Sequence, residues 1–481
     1  MTYEEAVDFC KNSPEIAATI LMRLDQLEED LVKANAEIKR LQDIISKDSS
    51  NSSKPPSTDN KLTKKATNKK TNAKKSRGGQ RGHTGLTLKT VSHPDNIVIL
   101  QTSQCHCSHK LDDVQASKVV TRQSFDLPKI KMVVTQYEQH TKICPGCKSV
   151  HTPEFPNRLR ATTQYGDNLR SFIAYCNTYQ MLPYDRISEM IEDLTEHRLS
   201  KGTIYNTLNN YHDKLEEYEH TVKALMLKEE VLHCDETGIN VKGKLHWIHT
   251  ASSSLMTYYM LHTKRGSVAM DDMEILPEYQ GVAVHDHWKP YNKYSCSHSF
   301  CNAHHLRELN FITLSEKVLW SDNMHTLLSR MNQEVHKAKE RGNERLSKGK
   351  IEQFTHHYDT ICKGAMRYYP PPEKIAKKTR GRSAQAKGKN LLDRFVKHQE
   401  EILRFSVNFS VPFTNNLAER DLRMIKVKEK ISGTFASFKG GEIFVRIRGY
   451  ISTLKKNNRP VLEELNNVLA GKPYLPCLVG C

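Results

Sequence analysis

The chain has 481 residues, and its 72 Lys and Arg outnumber its 55 Asp and Glu, so the formal net charge is +17. A chain of this length exceeds one compact core and predicts roughly two to four domains, and the charge favours a polyanionic partner, nucleic acid before an acidic membrane surface. The sequence shows neither an apolar run of about 20 residues that could span a bilayer nor a signal-peptide pattern, so we expect a cytoplasmic protein without a membrane partner.

Near the N-terminus, apolar residues recur in alternating steps of four and three. These positions are Ile20, Leu24, Leu27, Leu31, Ala34, Ile38, Leu41 and Ile45. A narrow apolar stripe flanked by charged residues is typical of a coiled coil, whereas a single helix packed on its own protein is the alternative. We predict that residues 1–50 form a leucine-zipper segment that makes the protein a homo-oligomer.

A basic segment follows, in which residues 54–89 hold eleven Lys or Arg and one acid. Pro, Gly, Ser, Thr and Asn fill most of the remainder, so the segment has too few apolar residues to build a core. We predict a disordered basic arm that binds DNA phosphates without reading sequence, and a merely solubilising linker is the alternative. The candidate DNA-binding residues of the arm are Lys64, Lys65, Lys69, Lys70, Lys74, Lys75, Arg77 and Arg81.

Cysteine pairs then flank a strand-like stretch at residues 129–140. The motif "CPGC" contains Cys144 and Cys147, and "CHCSH" offers Cys105, Cys107 or His109 to complete a tetrahedral site. Thiols of a cytoplasmic protein serve more often as metal ligands than in disulfides, and the spacing of "CPGC" is typical of a zinc knuckle. The sequence predicts a small zinc-ribbon-like β unit with one structural Zn²⁺, against a metal-free β unit with reduced thiols.

Helical periodicity returns in "LPYDRISEMIEDLTEHRLSKGTIYNTL". The stretch "EHRLS" interrupts this pattern, and Ser200 can cap a second helix that carries Lys201, a candidate DNA contact. This outline fits a helix-turn-helix that binds DNA and fits an ordinary helical hairpin equally well.

Two acids follow strand-like runs further along the chain. Asp235 follows "VLHC" and Asp286 follows "GVAVH", and two predicted strands and a helix lie between them. With both acids at strand ends, this order is what a ribonuclease-H-like sheet would show, and it would place the two carboxylates side by side. Adjacent carboxylates repel each other unless a divalent cation lies between them, and oxygen ligands favour Mg²⁺ or Mn²⁺.

A third acid is Glu419, in "VPFTNNLAERDLRMIK". Asn415 or Asn416 can cap a helix there, with a buried apolar stripe and Glu419 at its edge. An ordinary surface ion pair between Glu419 and Arg423 is the alternative. Basic residues on the same helix are candidate DNA contacts: Arg420, Arg423 and Lys426.

Eight motifs, in this order, resemble the DDE transposases of the insertion-sequence sixty-six family. They are "NSSKPPSTD", "GGQRGHTG", "LPYDRISEMIEDL", "DETG", "HDHWKPY", "CNAHHLREL", "TNNLAERDLRMIK" and "FASFKGGEIFVRIRGYI". The resemblance implies that Asp235, Asp286 and Glu419 are the catalytic acids. The chain departs from the family in its first Cys pair, which is usually CxxC. In "CNAH", Cys301 and His304 either support the active site or are a core thiol and a helix-capping His.

The expected fold class is a multidomain α+β protein with a ribonuclease-H-like α/β catalytic domain. Its expected parts are a coiled coil (1–50), a basic arm (51–92), a zinc-finger-like β domain (93–155), a helical DNA-binding segment (156–225), a catalytic domain (226–300 and 405–450), a helical insertion (301–404) and a C-terminal tail (451–481).

The resemblance implies that two Mg²⁺ or Mn²⁺ ions support cleavage of double-stranded DNA at the element ends and strand transfer into target DNA. It also implies that accessory proteins of the same element are partners. The alternatives are a ribonuclease-H-like nuclease or resolvase without strand transfer, and a non-catalytic zinc-containing DNA-binding regulator.

Overall fold

The structure is a computed structural model that describes residues 2–45, 47, 88–159, 161–370 and 385–476. The candidate phosphate contacts of the basic arm, from Lys64 to Arg81, therefore lie outside the described residues. None of the helices within these ranges is long and apolar enough to cross a membrane.

Two helices form the N-terminal part, α1 (Tyr3–Asn12) and α2 (Pro14–Ile45). Thr2 and Glu5 form a capping box that begins α1. The predicted apolar stripe runs along α2 and is exposed, with Leu27 59% and Leu31 61% accessible. An exposed apolar stripe on a long helix is the surface that a second coiled-coil strand would cover, so the helix is confirmed and self-association stays a prediction.

Residues 88–159 contain little regular structure. The short strands β1 (Lys142–Ile143) and β2 (Val150–His151) form an antiparallel hairpin, and an isolated bridge joins Gln104 to Lys110. The strand expected over 129–140 is not formed, although these residues are described. Its central side chains, Val133 and Val134, are 82% and 90% exposed, so the described residues provide no layer against which a sheet could pack here.

A helical segment with the predicted interruption follows. Its helices are α3 (Asp167–Ala174), continued by a π-helical turn at Tyr175–Tyr179, α4 (Tyr184–Thr195), α5 (Lys201–Lys214) and α6 (Glu216–Met226). Helix α4 ends at Glu196, which has left-handed backbone angles. The predicted N-cap is confirmed, since Ser200 Oγ accepts the Thr203 N–H at 3.0 Å.

A five-stranded mixed sheet forms the centre of the protein. Its strands are β3 (Val231–Val241), β4 (Lys244–Ser252), β5 (Thr257–His262), β6 (Val282–His285) and β7 (Ser297–Phe300), in the spatial order β5-β4-β3-β6-β7. Strands β3 to β5 are antiparallel neighbours, while β6 pairs parallel to β3 and β7 parallel to β6. The short helix α7 (Ser267–Asp272) lies between β5 and β6. The first four strands were predicted, and β7 was not.

The prediction that Asp235 ends a strand is wrong. Strand β3 runs through Asp235 to Val241, because its far half stays paired with β4 after its parallel pairing with β6 has ended at His233. The two strands join in a tight hairpin at Lys242 and Gly243, which both have positive φ angles of 49° and 75°. Such angles suit a two-residue hairpin turn and favour Gly at its second position.

Five described helices follow β7: α8 (Asn302–Glu316), α9 (Leu319–Glu340), α10 (Lys348–Ala365), α11 (Lys387–Lys397) and α12 (Gln399–Val407). They bury a core of their own, in which Trp320, Met324, Leu328 and Phe395 are at most 3% exposed. This content agrees with the helical insertion expected over 301–404, and the helices return the chain to the central sheet.

Three helices complete the chain, α13 (Asn416–Ser432), α14 (Phe438–Lys456) and α15 (Val461–Leu469). The predicted stripe of α13 is confirmed, since Ala418, Leu422 and Ile425 are at most 5% exposed. Leu422 and Ile425 pack against side chains of β3 and β4. Residues 451–476, expected as a tail, instead complete α14 and form α15, whose Asn466 Oδ1 accepts a hydrogen bond from Ser171 Oγ of α3.

Candidate active site

The register of two parallel strands brings Asp235 and Asp286 to equivalent positions. Strand β3 pairs with β6 from Val231 to His233, and His233 lies opposite Val284. Asp235 and Asp286 each follow these last paired residues by two positions. Because paired parallel strands run side by side, both acids lie where β3 and β6 begin to separate, Asp235 within β3 and Asp286 just past the end of β6.

Backbone hydrogen bonds hold one oxygen of each aspartate. Asp235 Oδ1 accepts the N–H of Glu236 at 2.9 Å, and Asp286 Oδ1 accepts the N–H of Trp288 at 2.9 Å. The pKa of Asp235 is raised well above its usual value, first by burial and then by the charges of Glu236, Asp286 and Glu419. These carboxylates therefore lie close enough to repel one another, and a bound cation would relieve that repulsion.

Asn415 fastens the start of α13 to β3, and Glu419 lies in the first turn of this helix. The Asn415 side chain is buried, with Oδ1 2.8 Å from His233 Nδ1 and Nδ2 donating to the Cys234 carbonyl at 2.8 Å. Asn415 occupies the predicted N-cap position, but its side chain makes no capping hydrogen bond. The amide is instead committed to the two residues before Asp235, which places Glu419 beside the site.

Glu419 faces α8. Its Oε1 atom lies 3.8 Å from His304 Nδ1 and 4.0 Å from Nη2 of Arg307. Among the described ion pairs, none joins Glu419 to Arg423, which is exposed, so the alternative of an ordinary surface pair is not observed. Burial lowers the pKa of His304, with a further lowering by Arg307, while the charges of Glu419 and Asp286 oppose this shift. The third predicted acid thus shares an environment with the second.

Cys301 and His304 lie at the junction of β7 and α8. Cys301 is 1% exposed and occupies the N-cap position of α8, and His304 lies one turn further along. Cys301 Sγ accepts the backbone N–H of Asn415 at 3.1 Å. The predicted supporting pair therefore contacts the same short segment that positions Glu419.

A second buried acid, Glu236, was not predicted as part of the site. Its side chain is 1% exposed, pairs with Arg265 at 2.8 Å and accepts a hydrogen bond from Tyr291 Oη at 2.8 Å. The Arg265 guanidinium lies 4.8 Å from the ring of Trp247 and 4.1 Å from that of Trp288. Strand alternation in "DET" could have indicated that Glu236 and Asp235 point to opposite faces, but no sequence signal identifies Arg265 as its partner.

The candidate DNA contacts outside the arm differ in exposure and in whether their charged groups already pair within the protein. Lys201 is exposed and pairs with Asp185 at 2.8 Å. Arg420 and Arg423 are exposed on α13, next to Glu419. Lys426 donates to the Gly238 carbonyl and pairs with Glu429 at 3.0 Å, so its ammonium group is already engaged within the protein.

The four candidate zinc ligands are not brought together. Cys105 and Cys107 lie in the turn bridged by Gln104 and Lys110, and Cys144 and Cys147 lie in the turn of the β1–β2 hairpin. Within the part of the chain that the structure describes, one group of three potential ligand atoms lies within 4.8 Å, and its members are Cys301, His304 and Glu419. A hydrogen bond from Ser149 lowers the pKa of Cys147 to about 7 and so favours the thiolate, the form that binds metal. Zinc at the hairpin stays a prediction.

Comparison with known families places much of the chain in one transposase family. A family model described as "Transposase IS66 family" matches residues 162–443, a range that contains Asp235, Asp286 and Glu419. A second model, for a family of unknown function (DUF6444), matches residues 11–89. A search of curated proteins found no match. Because the first model matches more than half of the chain, the protein belongs to the IS66 family of transposases.

Proposed function

We propose that this protein cuts DNA at the ends of a bacterial insertion sequence and joins those ends to target DNA, using Asp235, Asp286 and Glu419. The observation that supports the proposal is the register of β3 and β6, which puts Asp235 and Asp286 at equivalent positions, with Glu419 in the first turn of α13 and its N-cap residue hydrogen-bonded to β3. After burial, the charges of Asp286 and Glu419 contribute to the raised pKa of Asp235. We interpret the strand order β5-β4-β3-β6-β7 as a ribonuclease-H-like sheet.

The donor set fits Mg²⁺ or Mn²⁺. All three side chains offer carboxylate oxygens, which these hard cations prefer. Each aspartate uses one oxygen for a backbone N–H, which leaves its second oxygen for a cation. The chemistry that two such ions supply when bound is activation of water or a DNA 3′-hydroxyl and stabilisation of the departing oxygen.

The protein itself positions the acids and supplies charged side chains around them. Asn415 fixes the start of α13 on β3, and we infer that this holds Glu419 within reach of a cation shared with the aspartates. Arg265 pairs with Glu236 and partly offsets the charge of this further buried carboxylate beside the site. Arg420 and Arg423 are exposed one turn or less from Glu419, where they can contact DNA phosphates, in keeping with the net charge of +17.

We also propose that α2 joins copies of the chain and that the basic arm adds affinity without sequence preference. The exposed apolar stripe of α2 supports the first statement. The charge of residues 54–89 supports the second. Accessory proteins of the same element are the further partners that we expect.

A cutting-and-joining assay tests the proposed function. Purified protein is incubated with Mg²⁺, a target plasmid and a labelled duplex taken from the flanks of its own gene. We expect both cleavage at the element end and covalent joining of the label to the plasmid. Cleavage without joining would favour a nuclease or resolvase, and specific binding without cleavage would favour a DNA-binding regulator.

A further inference from the structure

A second set of potential metal ligands lies on the α8 side of the candidate active site. Sγ of Cys301, a ring nitrogen of His304 and a carboxylate oxygen of Glu419 lie within 4.8 Å of one another. The three residues come from the N-cap and first turn of α8 and from the first turn of α13. Two secondary-structure elements fixed against the sheet therefore hold this set in place.

Two atoms of the set have unsatisfied hydrogen-bonding capacity. His304 Nδ1 and Glu419 Oε1 are buried and make no hydrogen bond with the described residues. They are 3.8 Å apart, which is too long for a hydrogen bond. Unpaired polar atoms are rare in protein interiors, and one ligand bound to both atoms would explain why neither makes a hydrogen bond.

The spacing suits a tetrahedral ion. Zinc bonds of about 2.0–2.3 Å to nitrogen, oxygen and sulfur place ligand atoms roughly 3.3–3.6 Å apart. The observed separation of 3.8 Å between His304 Nδ1 and Glu419 Oε1 is already close to this value. Small side-chain rotations would complete the geometry, with the fourth position left to water or another ligand.

The environment of Cys301 supports a thiolate ligand. Its Sγ accepts the Asn415 N–H at 3.1 Å, and its N-cap position puts it at the positive end of the 15-residue helix α8. Binding of a metal ion to Sγ would release the thiol proton to solvent.

We propose that Cys301, His304 and Glu419 bind one zinc-class divalent ion at a site distinct in donor chemistry from the all-oxygen pair of Asp235 and Asp286. Thiolate and imidazole ligands favour Zn²⁺ or Co²⁺ over Mg²⁺. Glu419 is shared between the two donor sets, so an ion bound here competes for the third acid. The competition rests on the proposed function, whereas binding of the ion to Cys301, His304 and Glu419 does not.

Cobalt titration of the metal-stripped full chain tests the proposal, because Co²⁺ bound to thiolate absorbs in the near ultraviolet. We expect Cys301→Ser to lose one equivalent of bound Co²⁺ and the corresponding part of the thiolate absorption. His304→Gln should lose the same equivalent while keeping the thiol. Cys296→Ser removes another buried thiol, near β7 and outside the set, and should bind as the wild type does.

Other thiols can also bind cobalt, so the decisive quantity is the difference between the wild type and each variant. Cobalt that is lost in Cys147→Ser is bound by the hairpin cysteines. This variant should keep the Co²⁺ equivalent bound at Cys301. If Cys301→Ser does not fold, as judged by circular dichroism, His304→Gln and Glu419→Gln supply the comparison. Unchanged cobalt stoichiometry and spectrum in the folded variants would overturn the proposal. Joining of DNA by the wild type in Mg²⁺ is a separate result, so the two proposals can fail independently.

Discussion

Two regions of this protein hold Cys, His and acidic residues at suggestive spacings, and only one of them brings such residues together. In residues 93–155, the cysteine pairs lie in separate turns, and the side chains between them, such as Val133 and Val134, are exposed. At the junction of β3, β6, α8 and α13, the ligand residues lie on or next to elements that pack in shared cores. Residues that are far apart in sequence form a site when a core fixes the elements that carry them.

The largest expected effect is on catalysis. Glu419→Gln and Asp235→Asn should each lower DNA cleavage and joining by roughly 10³-fold or more, because each removes a charged ligand of one catalytic centre. The double variant should be little worse than either single variant, since the acids act as a unit. Single-turnover cleavage rates on a labelled element end measure both effects.

The matched control is Glu429→Gln, which makes the same chemical change on the same helix. Glu429 pairs with Lys426 at 3.0 Å and lies away from the candidate active site. This variant should cut and join at about the wild-type rate. If it loses activity as fully as Glu419→Gln does, charge on α13 in general, and not the position of Glu419, accounts for the loss.

Asp421 is two residues from Glu419 and has a structural role. Its carboxylate accepts a hydrogen bond from Ser252 at 2.6 Å and pairs with Lys456 at 2.9 Å, with both charged side chains at most 13% exposed. Burial alone would raise the pKa of Asp421, but Lys456 and the surrounding hydroxyl groups hold it below its usual value. A lowered pKa contributes stability above the unfolded-state pKa of about 4, and this stability is lost as the pH falls through the folded-state pKa.

The next largest effect is therefore on stability. Asp421→Asn should lower the free energy of unfolding by about 3 kcal/mol at neutral pH, because it leaves Lys456 buried without its counter-charge. Urea unfolding measures the loss, and the difference from the wild type should shrink as the pH falls below about 4. A difference under about 1 kcal/mol, constant with pH, would mean that the pair adds little to the fold.

The apolar stripe of α2 extends the comparison to apolar side chains that are exposed, such as Leu27 and Leu31. Leu27→Lys together with Leu31→Lys places charges on this stripe and should convert the oligomer to monomers in sedimentation. Met22→Lys is the control, because Met22 is 66% exposed on the opposite side of the helix and should leave the mass unchanged. An unchanged mass in the double variant would show that α2 does not join the copies.

The smallest expected effect concerns the hairpin cysteines. If Cys144 and Cys147 hold zinc, Cys147→Ser should release about one equivalent of the metal from the purified protein. The free energy of unfolding of the central sheet should change by less than about 0.5 kcal/mol, because the hairpin shares no core with it. Elemental analysis and urea unfolding measure these quantities. If the purified wild-type protein contains no zinc, the hairpin cysteines do not hold this metal.

The parts of the fold that follow local patterns could be predicted from the sequence. Periodicity predicted α2 and the buried stripe of α13, and turn chemistry predicted the N-cap at Ser200. The end of β3 was misplaced, because pairing of its far half with β4 keeps the strand extended through Asp235.

The predictions that failed depend on contacts between distant residues. The Asn415 amide looked like a helix cap, but tertiary contacts with His233 and Cys234 determine its role. The pairing of Glu236 with Arg265 has no local signature in the sequence. The approach of His304 to Glu419 joins residues more than 100 positions apart and depends on how the helices after β7 return to the sheet.

The central claim is that acids from three separate elements form one divalent-cation site. Its most direct test is a Mn²⁺ titration of the protein bound to an element-end duplex, with free Mn²⁺ counted by electron paramagnetic resonance. We expect Asp235→Asn and Asp286→Asn each to lose manganese that the wild type binds, while Glu429→Gln retains it. Equal binding of Mn²⁺ by the wild type and by both aspartate variants would show that these acids do not form a cation site.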